Sequence, residues 1–481
     1  MTFPTAPTTL DVTNKLTSKL SNLGFRPPHG QFLFLTTLLN LFIVIARPQD
    51  VIPIIGASKL PLLLSILTGV ACVPYYAELW RKDVTLKVMV AFLIIGAIWI
   101  PFAVNNFWAY QTFRDVLQLF LCFLFPTIAL SSYLNRLKNL QTLVKIIAIY
   151  LGTYVIMHVG KGPGGYMGDE NDVCQLIGAI AVFCVGIIKL PQRTSSKWIT
   201  FLAVGISISA VITTMSRGGF VGLTVAGLYL LWRSPNKVLH ILVILVIGLI
   251  AAFAAPSTYW KEMSSITDTN ERTAQGRISV WSTGWRMWTD PPNFLFGTGM
   301  RNGPRHILKY ETFEQLEKYP SQQGRAFHST YVEVITDLGL VGLILFSLAS
   351  VGNLYRTHRT IQILQQKRTS LVGHLAQTYS LISSQLEGSS TQPPDNLPPV
   401  EKLKNNVVNQ LEHAVIYMVA SNASLMSALC SAIFISTLYY PTIWFFISLN
   451  IAARIYAKQL MVTISEFPQS LESEKLPQVT F

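Results

Sequence analysis

Twelve apolar, sparsely charged segments run through this 481-residue chain, at about 31–46, 59–77, 87–104, 116–133, 141–160, 172–189, 198–214, 218–233, 238–255, 335–354, 414–436 and 438–457. A bilayer core is ~30 Å thick, and a helix crosses it with about 20 apolar residues. No water reaches a backbone N–H or C=O there, so each segment must satisfy its own hydrogen bonds as a helix. The chain is 13% charged, against about 25% for a soluble domain. The expected fold is an all-α polytopic membrane protein with about twelve transmembrane helices. Residues 1–30 are polar and lack the apolar core of a removable signal peptide.

Lysine and arginine mark the cytoplasmic side of a membrane. Alternate connections are rich in them: Lys15, Lys19 and Arg26; Arg81, Lys82 and Lys87; Arg136, Lys138 and Lys145; Lys189, Arg193 and Lys197; Arg233 and Lys237; Arg356, Arg359, Lys367 and Arg368. The short opposite connections hold only Arg47 and Lys59, Arg114, Lys161, Arg217, and none near 437. Both termini are therefore expected in the cytoplasm, and the long loop between spans nine and ten outside. The net charge of +13 follows from this bias, since basic loops sit against anionic lipid. No basic stripe on a soluble domain points to nucleic acid.

The organisation read from these signals is a nine-span bundle (1–255), an outside loop (256–334), span ten (335–354), a cytoplasmic insertion (355–412), two C-terminal spans (413–460) and a tail (461–481). The insertion reads as a polar helix to about Leu386, followed by a Gly/Ser/Pro-rich break at Gly388–Pro399. The five cysteines lie in or beside apolar segments without CxxC spacing, which predicts free buried thiols. No HExxH, DxD or cysteine cluster suggests a metal.

Chemistry-bearing residues gather on the outside. Arg217 ends span seven in Ser216-Arg217-Gly218-Gly219. An edge arginine often only snorkels to headgroups, but paired glycines permit close backbone approach, and a guanidinium there can hold phosphate bidentately. Residues 275–289 read as an amphipathic helix with Ile278, Trp281, Trp285 and Trp288 on one stripe. At about 100° per residue, Arg277 falls on the shoulder of that stripe, and Arg286 points away to water. Arg301 follows Gly297-Thr298-Gly299, a turn that asks for positive φ. Arg305, His306 and Arg325 are expected to be solvated. His328 lies one turn before span ten, with Tyr331 and Asp337 on the following turns; an imidazole there is either a structural hydrogen-bonding group or a base for an attacking hydroxyl. The loop 161–172 carries Asn171 and Asp172 and reads either as a cavity mouth or as a hairpin with Asp172 as N-cap. Arg47, in Arg47-Pro48-Gln49-Asp50, ends span one and is expected to pack near that loop.

Taken together, Asn171-Asp172, Ser216-Arg217-Gly218-Gly219, Gly276-Arg277 with Trp281, Pro292 through Gly299, His328 and Gly339-Leu-Val-Gly342 resemble the O-antigen ligase and polymerase superfamily over about residues 160–350. The Arg47-Pro48-Gln49-Asp50 and Pro53 pattern also resembles the O-glycosylation ligase group that accompanies exosortase systems. The long 355–412 insertion departs from the usual pattern and bears on the subfamily. The resemblance implies a GT-C-like, metal-independent inverting glycosyltransferase of the bacterial inner membrane that needs no cofactor. It would take an undecaprenyl-pyrophosphate-linked glycan to a lipid, glycan or protein acceptor, with Arg217 and Arg277 on the pyrophosphate and His328 on the acceptor hydroxyl. Arg301, Tyr331, Asn171, Asp172 and Arg47 are the further substrate-binding candidates. A polysaccharide polymerase is the alternative within this class. A transporter of a small anion is an alternative of another class, but it should carry ionisable groups near the midplane of several spans. A scaffold organised by the insertion is a third reading.

Overall fold

The computed structural model describes residues 30–238, 241–242, 245, 260, 264, 272–318, 321, 323–387 and 398–473. Span nine, the first part of the outside loop, the Gly/Ser/Pro-rich break at 388–397 and both chain ends therefore lie wholly or largely outside the described residues. Among the described residues every regular element is helical.

The longer helices are α1 (Gln31–Ala46), α2 (Leu60–Lys82), α3 (Val84–Trp99), α4 (Asn106–Ser131, through a π turn at Phe120–Leu124), α5 (Leu134–Met157) and α6 (Glu170–Gly186). They continue with α7 (Thr194–Thr213), α8 (Arg217–Trp232), α9 (Arg272–Thr289), α10 (Thr330–Glu387), α11 (Pro398–Ser431) and α12 (Pro441–Ser473). Seven helices among the described residues, α2, α3, α4, α5, α7, α10 and α11, are long and apolar enough to cross a membrane. The chain is thus a multi-pass helical membrane protein. The expected count of twelve is not confirmed among the described residues. Helices α1 and α8 are apolar but have only 16 residues each, and α6 has 17. Helix α12 is not among the seven; it carries Ser448, Asn450 and Arg454 into the interior of the bundle.

Burial sorts the helices into centre and rim. Helix α6 is buried without interruption from Val173 to Cys184, as expected of a helix that is apolar on every side. Ala423, Leu425 and Ala428 of α11 and Trp444, Phe445 and Phe446 of α12 are equally enclosed. Helix α2 is the opposite case, with Leu62, Leu63, Ile66, Leu67, Val70 and Val73 all exposed, the pattern of a rim helix facing lipid.

Helix α10 is broken at Gly339, whose φ of 63° and ψ of −158° no helix contains. A Cβ at this position would lie 2.5 Å from the Leu295 backbone. The break frees groups that an intact helix would pair internally. Val341 N–H donates to the Leu295 carbonyl, while the Thr336 and Asp337 carbonyls accept from Thr298 N–H and Gly299 N–H. The predicted turn is confirmed, with φ of 70° at Gly297 and 101° at Gly299. Past the break, α10 continues as one helix through the predicted polar stretch to Glu387.

Further along α10, a buried ion pair ties three elements. Arg454 of α12 grips Asp83, the N-cap of α3, through Nε–Oδ2 at 3.0 Å and Nη2–Oδ1 at 2.9 Å. The same guanidinium donates to Thr85 Oγ1, to Asn353 Oδ1 and to Thr357 Oγ1 of α10. Both side chains of the pair are 1% exposed. Removing one partner of such a pair strands a charge and costs about 3–5 kcal/mol. We therefore expect Asp83→Asn and Arg454→Met each to lower the midpoint of thermal unfolding in detergent. The double variant should be less damaged than the sum of the two, which a double-mutant cycle of those midpoints would read.

Candidate active site

Helices α6 and α8 begin, and α7 ends, at the same end of the bundle. Asp169 caps α6 by accepting from Asn171 N–H at 2.8 Å, so Asp172 is not the N-cap. The Asn171 amide also donates to Asp169 at 3.0 Å, and its carbonyl oxygen accepts from Ser216 Oγ at 2.8 Å. Ser216 in turn caps α8 by accepting from Gly219 N–H at 3.3 Å. Met215 supplies the left-handed residue, φ 52°, that turns α7 into α8. This chain of bonds fixes the first residue of α8, which is Arg217.

Beside that junction lies a cavity of about 260 Å³ lined by Glu170, Asn171, Thr214, Met215, Arg217, Gly218 and Arg277. Two guanidinium groups separated by 60 residues in sequence thus meet in one space. Arg277 arrives there on α9. The buried face of α9 is Val280, Thr283, Gly284 and Met287, and Gly284 lies against Val332, Phe327 and Thr336. The tryptophan stripe faces the other way: Trp285 and Ile278 are exposed, and Trp281 and Trp288 half-buried. An aromatic face left outside the bundle suits the membrane interface.

Trp281 lies one turn after Arg277 and donates from Nε1 to the Phe327 carbonyl at 3.0 Å. That bond holds the residue before His328. On its other side, Ser329 N–H donates to Ser436 Oγ at 3.3 Å and Thr330 N–H to the Ala432 carbonyl at 2.9 Å. His328 itself has a φ of 51° and is exposed. Burial by the surrounding protein pushes its pKa below the ordinary 6.5, Arg277 and Arg325 push it the same way, and Asp169 opposes them. The shift favours the neutral form of the imidazole, the form that can accept a proton. Six described residues other than glycine adopt positive φ, and four of them are Arg47, Met215, Arg301 and His328. Strain of this kind gathers where a site needs it.

The remaining candidates stand outside the cavity. The Arg301 backbone N–H donates to Asp337 at 2.7 Å, and its side chain donates to Tyr440 OH at 3.1 Å. Asp172 is within electrostatic reach of Arg301. Arg47 pairs with Asp50 and lies 5.1 Å over the Tyr166 ring, which puts it against the 161–172 loop as expected. Tyr331 OH donates to the Leu429 carbonyl at 2.9 Å, inside the bundle.

Two expectations for arginines need correction. Arg286 does not look to water: it donates to the Tyr310 carbonyl at 3.1 Å, to Thr283 Oγ1 and to Gln315, and so braces the 307–318 segment against α9. Arg305 is not solvated either; its guanidinium stacks 3.9 Å from the Trp108 ring centroid. Sequence reasoning also passed over Glu170, although it adjoins Asn171. A single carboxylate in an acidic loop gave no signal until the cavity placed it opposite two arginines.

These features define a class: a multi-pass helical membrane protein whose helix ends enclose a cavity lined by two arginines, within electrostatic reach of a histidine. Residues 201–347 match the family model described as O-antigen ligase. This match supports the superfamily read from the motifs. The matched segment contains Arg217, Arg277, Arg301 and His328, whereas Arg47, Asn171 and Asp172 precede it. No curated protein matches the chain.

Because Arg325 is exposed and adds to the depression at His328, Arg325→Ala should raise the imidazole's pKa. The rate of diethyl pyrocarbonate labelling at His328, followed by peptide mass spectrometry, should fall off below pH 6.5 in the parent. In Arg325→Ala the fall should begin at higher pH.

Proposed function

We propose that the chain is a membrane glycan ligase. It would transfer an oligo- or polysaccharide from undecaprenyl pyrophosphate to an acceptor hydroxyl at the periplasmic face of a bacterial inner membrane. The observation that carries this reading is the meeting of Arg217 and Arg277 in one cavity within the O-antigen ligase segment. Transfer with inversion breaks the bond between the anomeric carbon and the pyrophosphate, and the bonding electrons leave with the phosphate oxygen. Fixed guanidinium groups stabilise that developing charge and match phosphate oxygens bidentately. The acceptor hydroxyl attacks from the opposite face and gives its proton to His328, whose neutral state suits it as a base. Arg301 would line the acceptor side through its link to Tyr440. The two arginines sit at one end of the bundle instead of near its midplane, which favours an enzyme over a small-anion transporter.

The same reading takes the topology as twelve spans, with both termini and 355–412 in the cytoplasm and 256–334 in the periplasm. Its support is the lysine and arginine alternation. In a variant without the five native cysteines, a cysteine at exposed Ser282 should react with an impermeant maleimide in spheroplasts, and one at exposed Gln366 should not. The opposite labelling would put the arginine cavity on the wrong side for a periplasmic transfer.

For the chemistry, Arg217→Lys and Arg277→Lys should each cut transfer strongly, because an ammonium cannot reproduce the guanidinium fork. His328→Ala should accumulate normally, still bind the lipid-pyrophosphate donor, and lose about 10²–10⁴-fold in rate, the usual worth of a general base. His306→Ala should keep its activity. Transfer at the parental rate by His328→Ala would make the histidine structural.

A further inference from the structure

The cavity is not uniformly basic. Glu170, the first residue of α6, has an exposed side chain and lines the space together with Arg217 and Arg277. Most other polar side chains of the lining are committed to the fold. Asn171 donates to Asp169 and accepts from Ser216, and the Thr214 hydroxyl donates to the Val211 carbonyl at 2.7 Å. Met215 and Gly218 bring no hydrogen-bonding side chain. Among the described residues, Glu170 makes no side-chain hydrogen bond or ion pair.

A carboxylate is a poor neighbour for a phosphate, since it repels the charge the two arginines attract. It is a good acceptor for sugar hydroxyls, which bind charged oxygens more strongly than neutral ones. A cavity with guanidinium groups and a carboxylate therefore fits a ligand that carries an anion and a hydroxyl-bearing ring side by side. A sugar joined to pyrophosphate has this form. Resting on the donor-clamp reading above, we infer that Glu170 is a specificity-determining residue that accepts hydrogen bonds from the sugar next to the donor pyrophosphate. The cavity then has two ends: Arg217 and Arg277 hold the pyrophosphate, and Glu170 reads the ring. Its place in the first turn of α6, held by the Asp169 cap and the Asn171–Ser216 bond, fixes the Glu170 backbone relative to Arg217.

The test is donor binding by the full-length protein in nanodiscs, read by intrinsic tryptophan fluorescence. The two probes are undecaprenyl pyrophosphate bearing one hexosamine and sugar-free undecaprenyl pyrophosphate. The parent should bind the sugar-bearing probe more tightly. Glu170→Ala should weaken that probe by about 10- to 100-fold, the range for a hydrogen bond to a charged group, and leave the sugar-free probe at least as tight. Glu170→Gln should fall between the two proteins. Equal affinity of the parent for both probes would overturn the inference, as would equal changes of both affinities in Glu170→Ala, or no change in either. If the parent does not bind sugar-free undecaprenyl pyrophosphate, or if Arg217→Lys binds it like the parent, the arginine clamp itself is wrong. Failure of the sugar subsite alone would leave the Arg217 result intact.

Discussion

The arrangement at the site depends on one interruption in a helix. Helix α10 enters from the loop that carries His328, and at Gly339 its backbone turns out of helical geometry. The groups released at Thr336, Asp337 and Val341 bond to residues 295–299. The Asp337 carboxylate then gathers Arg301 N–H at 2.7 Å, Gly303 N–H at 2.8 Å and Tyr439 OH at 2.8 Å. A segment without a long helix of its own is thereby docked on a rigid one. In the low dielectric of such a core, satisfied groups lock a geometry, and an unsatisfied one would be costly. The aspartate inside an apolar span is thus the anchor of the loop that follows α9.

That anchor acts together with two smaller ties. The Trp281–Phe327 bond joins α9 to the entrance of α10, which brings Arg277 into electrostatic contact with His328. The Asn171–Ser216 bond joins the start of α6 to the start of α8 and sets Arg217. Arg217 therefore stands at a helix start and His328 just before one, and both places are held by hydrogen bonds from distant parts of the chain. Sites supported in this way keep their geometry because the supporting groups are themselves locked. At the other end of the bundle, the Asp83–Arg454 pair does the corresponding work for α3, α10 and α12, with no part in the cavity.

Several local readings were accurate because local physics decides them. Among the described residues the apolar segments became helices, since lipid leaves the backbone no other partner. The amphipathic helix, the positive φ at Gly297 and Gly299, and the free cysteines also followed from nearby residues. The short α1, α6 and α8 fall where apolar segments were expected, but a helix buried among other helices need not meet the length of an isolated span. Arg286 and Arg305 were misjudged for a related reason. Helical periodicity gives the direction of a side chain on its own helix, but not the Tyr310 carbonyl or the Trp108 ring that happens to lie there.

By itself, the sequence determined a helical membrane chain, the residue types available for anion chemistry and their order. It did so through hydrophobic length, charge asymmetry and motif spacing, all of which are properties of short stretches. Only the tertiary structure decided that Arg217 and Arg277 share a cavity while Arg47, Arg301 and Tyr331 do not, and that Glu170 lines the same space. Those outcomes depend on contacts between residues tens to hundreds of positions apart. They are set by which helix ends pack together, and no window of neighbouring residues contains that information.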